Sequence, residues 1–237
     1  MPHAPCPNPN ASGGCAGCRV RLISVCAVLA PDELLALEAM AGDTAFAAKE
    51  TLFIQGEDAD AVYTITAGMA RLYKLLPDGR RQIVGFALPG DFLGLAMRER
   101  YGFSADAVEP IVACRFSRSA YSAFVDARPH LLRRLHEFAT HELTLAQDQM
   151  MLLGRRTAEE KLVSFLLHMR DRWARLGRAS VTVPLPMSRQ DIADFLGLTI
   201  ETVSRTFTKL AKDKAIAIVP DGVRLMNLER LETLAAA

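Results

Sequence analysis

The spacing of apolar residues changes near residue 128, and this change constrains the fold more than any other feature of the sequence. Between residues 44 and 120, short apolar runs alternate with turn sequences such as Ala67-Gly68, Pro77-Asp78-Gly79 and Pro89-Gly90-Asp91. Turn signals that recur roughly every 8–12 residues are typical of a barrel or sandwich of short strands. This part of the chain therefore predicts an all-β domain.

After residue 128 the apolar residues follow the spacing of one long helix. One stripe has separations of seven, four and three residues and consists of Leu132, Ala139, Leu143, Ala146, Met150 and Leu153. Because heptad spacing is typical of a seam between two helices, this stripe predicts a homodimer interface. A second stripe would cover the β domain and consists of Leu131, Leu135, Phe138, Leu145 and Leu152. The alternative is a single helix with one broad core-facing stripe.

Residues 188–210 predict two short helices joined by a tight turn. Ser188 with Asp191 can begin the first helix, Gly197 permits the turn, and Thr199 can begin the second helix. The small side chain of Ala193 lets the two helices cross steeply, as in a helix-turn-helix. A hairpin predicted over residues 215–226 would add the wing of a winged helix.

The second of these helices would present polar side chains on its outer face. They recur at spacings of three and four and are Glu201, Ser204, Arg205, Thr208 and Lys209. A glutamate can accept a hydrogen bond from a cytosine amino group and an arginine can bind guanine, so this face is a candidate base-reading surface. Arg189, Lys212 and Arg224 are candidates for phosphate contacts. The alternative is a solvated polar face, and the net charge of +1 gives no independent support for DNA binding.

The cysteines point to metal or redox chemistry. Four of the five lie in the first 26 residues, and a reducing cytosol disfavours a structural disulfide framework. Three closely spaced thiols and the distant remaining one form a candidate ligand set, which is Cys15, Cys18, Cys26 and Cys114. Four thiolates suit a tetrahedral zinc ion or an iron–sulfur cluster. The spacing alone does not choose between these two centres, and a thiol–disulfide switch is a third alternative. Arg19 and Arg21 are expected to favour the ionised thiols, and Cys6 is a bystander or an alternate ligand.

Several classes of protein are not indicated. The sequence has no apolar run long enough to span a bilayer and no secretory signal at its start, so we expect a cytoplasmic protein without a membrane partner. It contains no phosphate loop, nucleophile elbow or convergent acid–base pair, so we expect no enzyme. An electron-transfer protein carrying an iron–sulfur cluster is an alternative, although it would have no use for a winged helix.

These patterns together predict an α+β fold with four regions. Residues 1–30 would form a cysteine-rich arm, and residues 31–127 a β sensor domain. Residues 128–156 would form the dimerisation helix, and residues 157–237 the DNA-binding domain.

This order of elements resembles the Crp/Fnr family of bacterial transcription regulators over nearly the whole chain. The resemblance implies a cyclic-nucleotide-binding-type β-roll, with Gly68 and the segment from Pro89 to Gly94 among its landmarks. It also implies a homodimer that binds palindromic double-stranded DNA and works with RNA polymerase. Residues 201–205 resemble the E-x-x-S-R motif of the Fnr and FixK branches, which implies that Glu201, Ser204 and Arg205 read a TTGAT-type half-site. The resemblance also places Asp148 at the position where, in the family, a carboxylate opposes dimer formation in the resting state.

Two further comparisons with the family indicate which kind of ligand the sensor domain binds. Cyclic-AMP-binding members carry a glutamate and later an Arg-Ser or Arg-Thr pair, where this chain has Leu95–Met97 and Phe103-Ser104. Since an anionic cyclic phosphate would lose its main charge partner, we expect no cyclic-nucleotide binding. The pattern Cys-x2-Cys-x7-Cys with Cys114 instead resembles the FnrN-like members. This resemblance implies an oxygen-sensitive [4Fe-4S] cluster controlling anaerobic or microaerobic genes.

Overall fold

The structure, a computed structural model, describes residues 14–94 and 99–236. Cys6 and the segment Leu95–Met97, both used in the sequence analysis, lie outside these residues. The described chain forms two compact units. The first comprises residues from 14–74 and 84–142, and the second comprises residues 75–83 and 143–236.

The first unit is built mainly from short antiparallel strands, as the turn signals predict. Its strands are β1 (Gly42–Phe46), β2 (Thr51–Phe53), β3 (Ala61–Ala67), β4 (Ala70–Leu75), β5 (Arg81–Ala87), β6 (Phe92–Leu93), β7 (Ser104–Ala107) and β8 (Ile111–Ser117). They form two four-stranded sheets with the orders β1-β8-β3-β6 and β2-β7-β4-β5. The predicted β-roll is therefore confirmed.

Alternation along the strands gives the first sheet two buried faces. On β3, Ala61, Tyr63 and Ile65 point into an inner core between the sheets, where Ile111 and Ala113 of β8 join them. Val62 of β3 and Phe116 of β8 pack into a second cluster on the other face. Because successive side chains of a strand point to opposite faces, both sides of this sheet must be covered.

Helices and the cysteine arm provide that cover. The helices are α1 (Pro31–Met40), α2 (Arg118–Asp126) and the start of α3 (Pro129–Arg155). The arm contributes three short 3-10 helices, at Gly14–Gly17, Arg21–Ile23 and Val25–Val28. We call the resulting cluster the outer core, and its buried members are Cys15, Val25, Leu29, Leu34, Leu37, Val62, Cys114, Phe116, Tyr121, Phe124, Val125, Leu131 and Leu135.

The two stripes of α3 have different surroundings. Leu131 and Leu135 of the second stripe are buried in the outer core, with Phe138 packed against it. Leu132, on the first stripe, is 51% exposed in the single chain. The first unit thus leaves the predicted seam uncovered while its neighbouring stripe is used for packing.

The second unit contains the end of α3 and a winged helix-turn-helix. Its further elements are α4 (Ala158–Arg175), β9 (Thr182–Pro184), α5 (Arg189–Leu196), α6 (Ile200–Lys212), β10 (Ile216–Val219), β11 (Gly222–Leu225) and α7 (Leu228–Ala236). The three strands pair in the order β10-β11-β9, so the predicted wing is present and β9 extends it. In the part of the chain that the structure describes, no helix is long and apolar enough to cross a membrane.

Candidate DNA interface and cysteine centre

Both helices of the helix-turn-helix begin at the residues that the sequence predicts. Ser188 precedes α5, where its hydroxyl accepts a 3.1 Å hydrogen bond from the backbone N–H of Asp191. The carboxylate of Asp191 returns a bond by accepting from the N–H of Ser188 at 3.0 Å, which completes a capping box. Thr199 precedes α6 and accepts from the N–H of Thr202 at 3.2 Å. These caps satisfy backbone donors that would otherwise lack partners at the helix ends.

Gly197 makes the turn between α5 and α6. Its φ is +62°, in the left-handed region that favours glycine, and a Cβ there would lie 3.3 Å from the Leu153 side chain. The contact between the helices is apolar. Its fully buried residues are Ile192, Ala193, Leu196, Val203, Phe207 and Leu210.

The polar face of α6 is open to solvent over its whole length. All five residues predicted to read DNA are exposed: Glu201, Ser204, Arg205, Thr208 and Lys209. Its own backbone N–H, the Thr199 hydroxyl and the nearby Arg205 lower the pKa of Glu201, so this carboxylate is ionised at neutral pH. An ionised carboxylate is a strong acceptor for a cytosine amino group.

Two predicted DNA-contacting cations are engaged within the protein. The guanidinium carbon of Arg189 lies 3.2 Å from the centre of the Phe207 ring, and burial lowers the pKa of Arg189. Its position beneath α6 favours a packing role, so its phosphate contact stays a prediction. Lys209 forms an ion pair with Glu159 of α4, which it would have to leave in order to bind a phosphate. Arg224 on the wing is exposed, as a phosphate-binding residue must be.

An ionic clasp that no sequence pattern predicts holds α5. Arg81, beside the β4–β5 turn, donates to Asp191 at 2.7 Å and to Asp194 at 2.8 Å. The Asp191 side chain is only 4% exposed, and the neighbouring Gln82 donates to the backbone carbonyl of Asp194. More than 100 residues separate the partners along the chain, so no local pattern could reveal the pairing.

Arg81→Ala should lower the free energy of unfolding of the second unit by about 2 kcal/mol, since the substitution leaves buried carboxylates without their cation. Denaturant unfolding followed by tryptophan fluorescence measures this. The only tryptophan, Trp173, is buried in α4 and donates to the Pro184 carbonyl at 3.0 Å. Arg80→Ala is the control, since Arg80 is 77% exposed, and it should leave the midpoint unchanged. Equal midpoints for both variants would show that the clasp adds no stability.

The rest of the predicted seam is also exposed, except at its end. Ala139, Ala146 and Asp148 are exposed, and so are Leu143 (58%) and Met150 (64%). Leu153 is half-buried, and its side chain lies against the turn at Gly197. The backbone carbonyl of Leu153 accepts a hydrogen bond from the Lys161 side chain at 3.1 Å. The Gln149 side chain donates a hydrogen bond to the backbone carbonyl of Phe195 at 2.9 Å. The last turns of α3 are thus joined to the helix-turn-helix.

The four candidate ligands gather around the outer core. Cys15 and Cys114 are buried members of it, and Cys26 packs against it. Cys18 is close enough to Cys26 to raise the pKa of that thiol. All four are thiols in the described part of the chain, without a disulfide between them. Residues almost 90 positions apart in the sequence are therefore brought to one face of the β-roll.

Two contacts fix the arm beside Cys15. The Cys15 backbone N–H donates to a carboxylate oxygen of Glu38 in α1 at 3.0 Å. Gly14 lies so close to the same carboxylate that a Cβ there would be 2.3 Å from the oxygen. The φ of Gly14 is +59°, in the left-handed region that favours glycine, and this conformation brings the arm against α1 immediately before Cys15.

The thiols are not yet arranged as a metal site. Burial raises the pKa of Cys26 and outweighs the lowering effects of Ser24 and Arg21. Arg21 therefore favours the ionised thiol, as expected, but does not decide the direction of the shift. Among the described residues, no three His, Cys, Asp or Glu side chains are close enough to hold a metal ion. Loading a centre would therefore require the candidate thiols to come closer together.

Comparison with known proteins places the whole arrangement in one family. Residues 43–128 match the cyclic nucleotide-binding domain, and residues 160–234 match the Crp-like helix-turn-helix domain. The chain is 55% identical to the transcriptional activatory protein AadR of Rhodopseudomonas palustris over 239 residues, which covers 100% of each protein. The chain belongs to the Crp/Fnr family.

Two FixK proteins are also similar to this Crp/Fnr regulator. The nitrogen fixation regulation protein FixK of Bradyrhizobium diazoefficiens is 52% identical and covers 94% of each chain. The solved structure of FixK2 from Bradyrhizobium japonicum has a TM-score of 0.78 at 37% identity, covering 83% of this chain and 98% of that one. As a Crp/Fnr regulator, the protein binds DNA through its helix-turn-helix, and α6 is the second helix of that motif.

Proposed function

We propose that this regulator activates transcription when oxygen is absent, as a cytoplasmic homodimer that binds a TTGAT-type inverted repeat while its cysteines hold a [4Fe-4S] cluster. The observation that carries the proposal is that candidate cysteine ligands and the start of α3 pack in one cluster. Cys15 and Cys114 lie in the same outer core as Leu131 and Leu135 of α3. A change in how the arm packs therefore reaches the helix that carries the exposed seam. The name of AadR supports activation, with RNA polymerase as the expected partner.

The donor set supports an iron–sulfur centre. Cys15, Cys18, Cys26 and Cys114 would hold it with four thiolates, the ligands that such clusters require. They surround an apolar core that excludes water, and exclusion of water limits access to a bound centre. When bound, the cluster supplies an oxygen-sensitive connection between the arm and β8. The steps that follow depend on side chains of the protein itself.

Packing on the buried stripe of α3 positions the exposed stripe. Leu131 and Leu135 are 1% and 6% exposed, so they move with the outer core. Leu132 and Leu143 are more than half exposed and would be buried against a second subunit. Burial of apolar surface drives such pairing at roughly 25 cal/mol per Å². Two paired subunits would present their recognition helices to successive major grooves on one side of the DNA.

The carboxylate of Asp148 would oppose the association of two subunits. It is exposed on α3, on the opposite side of the helix from Leu143 and Met150. The resemblance to the family is what places it near a two-fold axis, where two copies would approach each other. Two carboxylates in proximity repel unless they are screened or one is protonated. A dimer weakened in this way would form only when the first unit favours it, and a few kcal/mol is enough to shift such an equilibrium 100-fold.

Asp148→Asn should therefore raise the fraction of dimer in air, tightening the dimer dissociation constant roughly 10-fold, which corresponds to about 1.4 kcal/mol. Sedimentation velocity over a range of concentrations, in air and under anoxia, measures the change. Glu137→Gln is the charge-matched control on the same helix, where Glu137 pairs with Arg134 at 3.0 Å. If the Asp148 variant stays as monomeric in air as the Glu137 variant, carboxylate repulsion does not control assembly.

A further inference from the structure

Thr64 has a hydroxyl group with no apparent role in the fold. It lies on β3 opposite Cys114 of β8, and residues opposite each other in an antiparallel pair point to the same face. Its neighbour Val62 packs into the outer core, so the Thr64 side chain also faces that side. Thr64 is 3% exposed, and among the described residues its hydroxyl has no hydrogen-bond partner.

Tyr121 of α2 presents a second buried hydroxyl to the same region. Its ring centre lies 5.1 Å from that of Phe92 and 5.4 Å from that of Phe116. The side chain is 5% exposed, and its hydroxyl is also without a hydrogen-bond partner in residues 14–94 and 99–236. A tyrosine hydroxyl can donate one hydrogen bond, and here the described residues offer it no acceptor.

Both residues lie on the side of the sheet where the outer core contains cysteines. Thr64 lies between Cys114 of β8 and Phe92 of β6 in the sheet, and the Tyr121 ring packs on Phe92. Cys26 is close enough to Tyr121 for the two side chains to interact electrostatically. Cys26 also packs against the outer core that contains Cys114. Folded proteins seldom leave a buried hydroxyl without a hydrogen-bond partner, because the group then carries an uncompensated desolvation cost. Sulfur atoms of a cysteine-held centre would be acceptors for both.

We propose that Thr64 and Tyr121 donate hydrogen bonds to the sulfur atoms of the cluster or of its cysteine ligands and thereby slow its oxidation. The inference rests on the proposed function, because it needs a centre held by Cys15, Cys18, Cys26 and Cys114. Donors beside the sulfurs stabilise the more negative state of a cluster, so they set its reduction potential. Neither residue is a ligand.

Thr64→Val and Tyr121→Phe remove the hydroxyls while keeping nearly the same shape. In anoxically purified protein, each should lower the reduction potential of the cluster and speed its bleaching in air roughly 10-fold. In metal-free protein, each should raise the thermal midpoint, because a buried donor without an acceptor has been removed. A merely structural role would change stability in the opposite direction and would leave the potential unaltered.

Matched control variants separate the effect of the Thr64 and Tyr121 hydroxyls on the cluster from the effect of losing any buried hydroxyl on stability. Thr66→Val removes a hydroxyl of β3 that donates to the Val112 carbonyl at 3.0 Å. Tyr101→Phe removes one that donates to the Ala61 carbonyl at 2.9 Å. Both should destabilise the fold without changing the bleaching rate. Thr64→Ser, which keeps the hydroxyl, should bleach at the rate of the unaltered protein.

Iron and acid-labile sulfide are assayed in the unaltered protein first. If it contains neither after anoxic purification, the proposed function and this inference both fall. If it contains a cluster and the Thr64 and Tyr121 variants match it in potential and bleaching rate, the donor assignment alone is wrong. Faster bleaching in both variants, with no change in either control, is the result that the proposal requires.

Discussion

Cys114→Ala should abolish anoxic DNA binding, lowering the affinity for the inverted repeat roughly 100-fold. Cys114 is the one candidate ligand outside the arm, and it lies buried on β8 in the outer core. Without its thiolate, the arm thiols have no connection to the sheet through a common centre. The seam of α3 would then stay in its resting arrangement, so the variant should resemble air-exposed protein. Fluorescence anisotropy with a labelled palindrome, measured under anoxia, gives the affinity.

Cys6→Ala is the control for this experiment. Cys6 lies outside the described residues and is predicted to be a bystander, so its replacement should leave iron content and affinity unchanged. Circular dichroism before the titration shows whether the Cys114 variant is folded. A folded Cys114 variant that still dimerises and binds its site without oxygen would show that Cys114 is not a ligand. A loss of binding in the Cys6 variant would instead assign that cysteine to the centre.

Arg205→Ala should cause the second large effect, a fall of roughly 5–150-fold in affinity for the TTGAT-type repeat. Arg205 is exposed on α6 one turn after Glu201, so both side chains can reach base edges in the major groove. Loss of a bidentate contact to a guanine should weaken binding only at the position that Arg205 reads. Competition between the repeat and single-base variants of it measures that selectivity.

Lys209→Ala provides the contrast on the same helix. Lys209 is exposed but paired with Glu159, so at most it contributes a phosphate contact. Its replacement should weaken binding equally for all sequences and reduce the salt slope by about 1. If Arg205→Ala weakens all sequences equally and Lys209→Ala relaxes base preference, the two roles have been assigned the wrong way round.

Local signals in the sequence predict the helices of the DNA-binding domain well. The second helix begins after Thr199 and the first after Ser188, because capping depends on residues three positions apart. The spacing also predicts α1 from Pro31 to Met40, with proline in its first turn. Helix ends of this kind are determined within one or two turns of the chain.

Long-range contacts could not be predicted in the same way. The Arg81 clasp joins a hairpin turn to α5, and Arg189, a candidate for a phosphate contact, stacks on Phe207. Neither partner carries a local signal for the other. The pairing of Thr64 with Cys114 depends on strand register, which follows from the packing of whole sheets and not from one segment.

The central claim is that oxygen controls DNA binding through a cluster held by the cysteines. The most direct test is to purify the protein without air, assay iron and sulfide, and titrate the palindrome before and after admitting air. We expect a brown protein that contains iron and sulfide, bleaches in air and loses affinity for the palindrome. A colourless protein that contains zinc or no metal, and binds the palindrome equally in both conditions, would contradict the sensor and leave only the DNA-binding regulator.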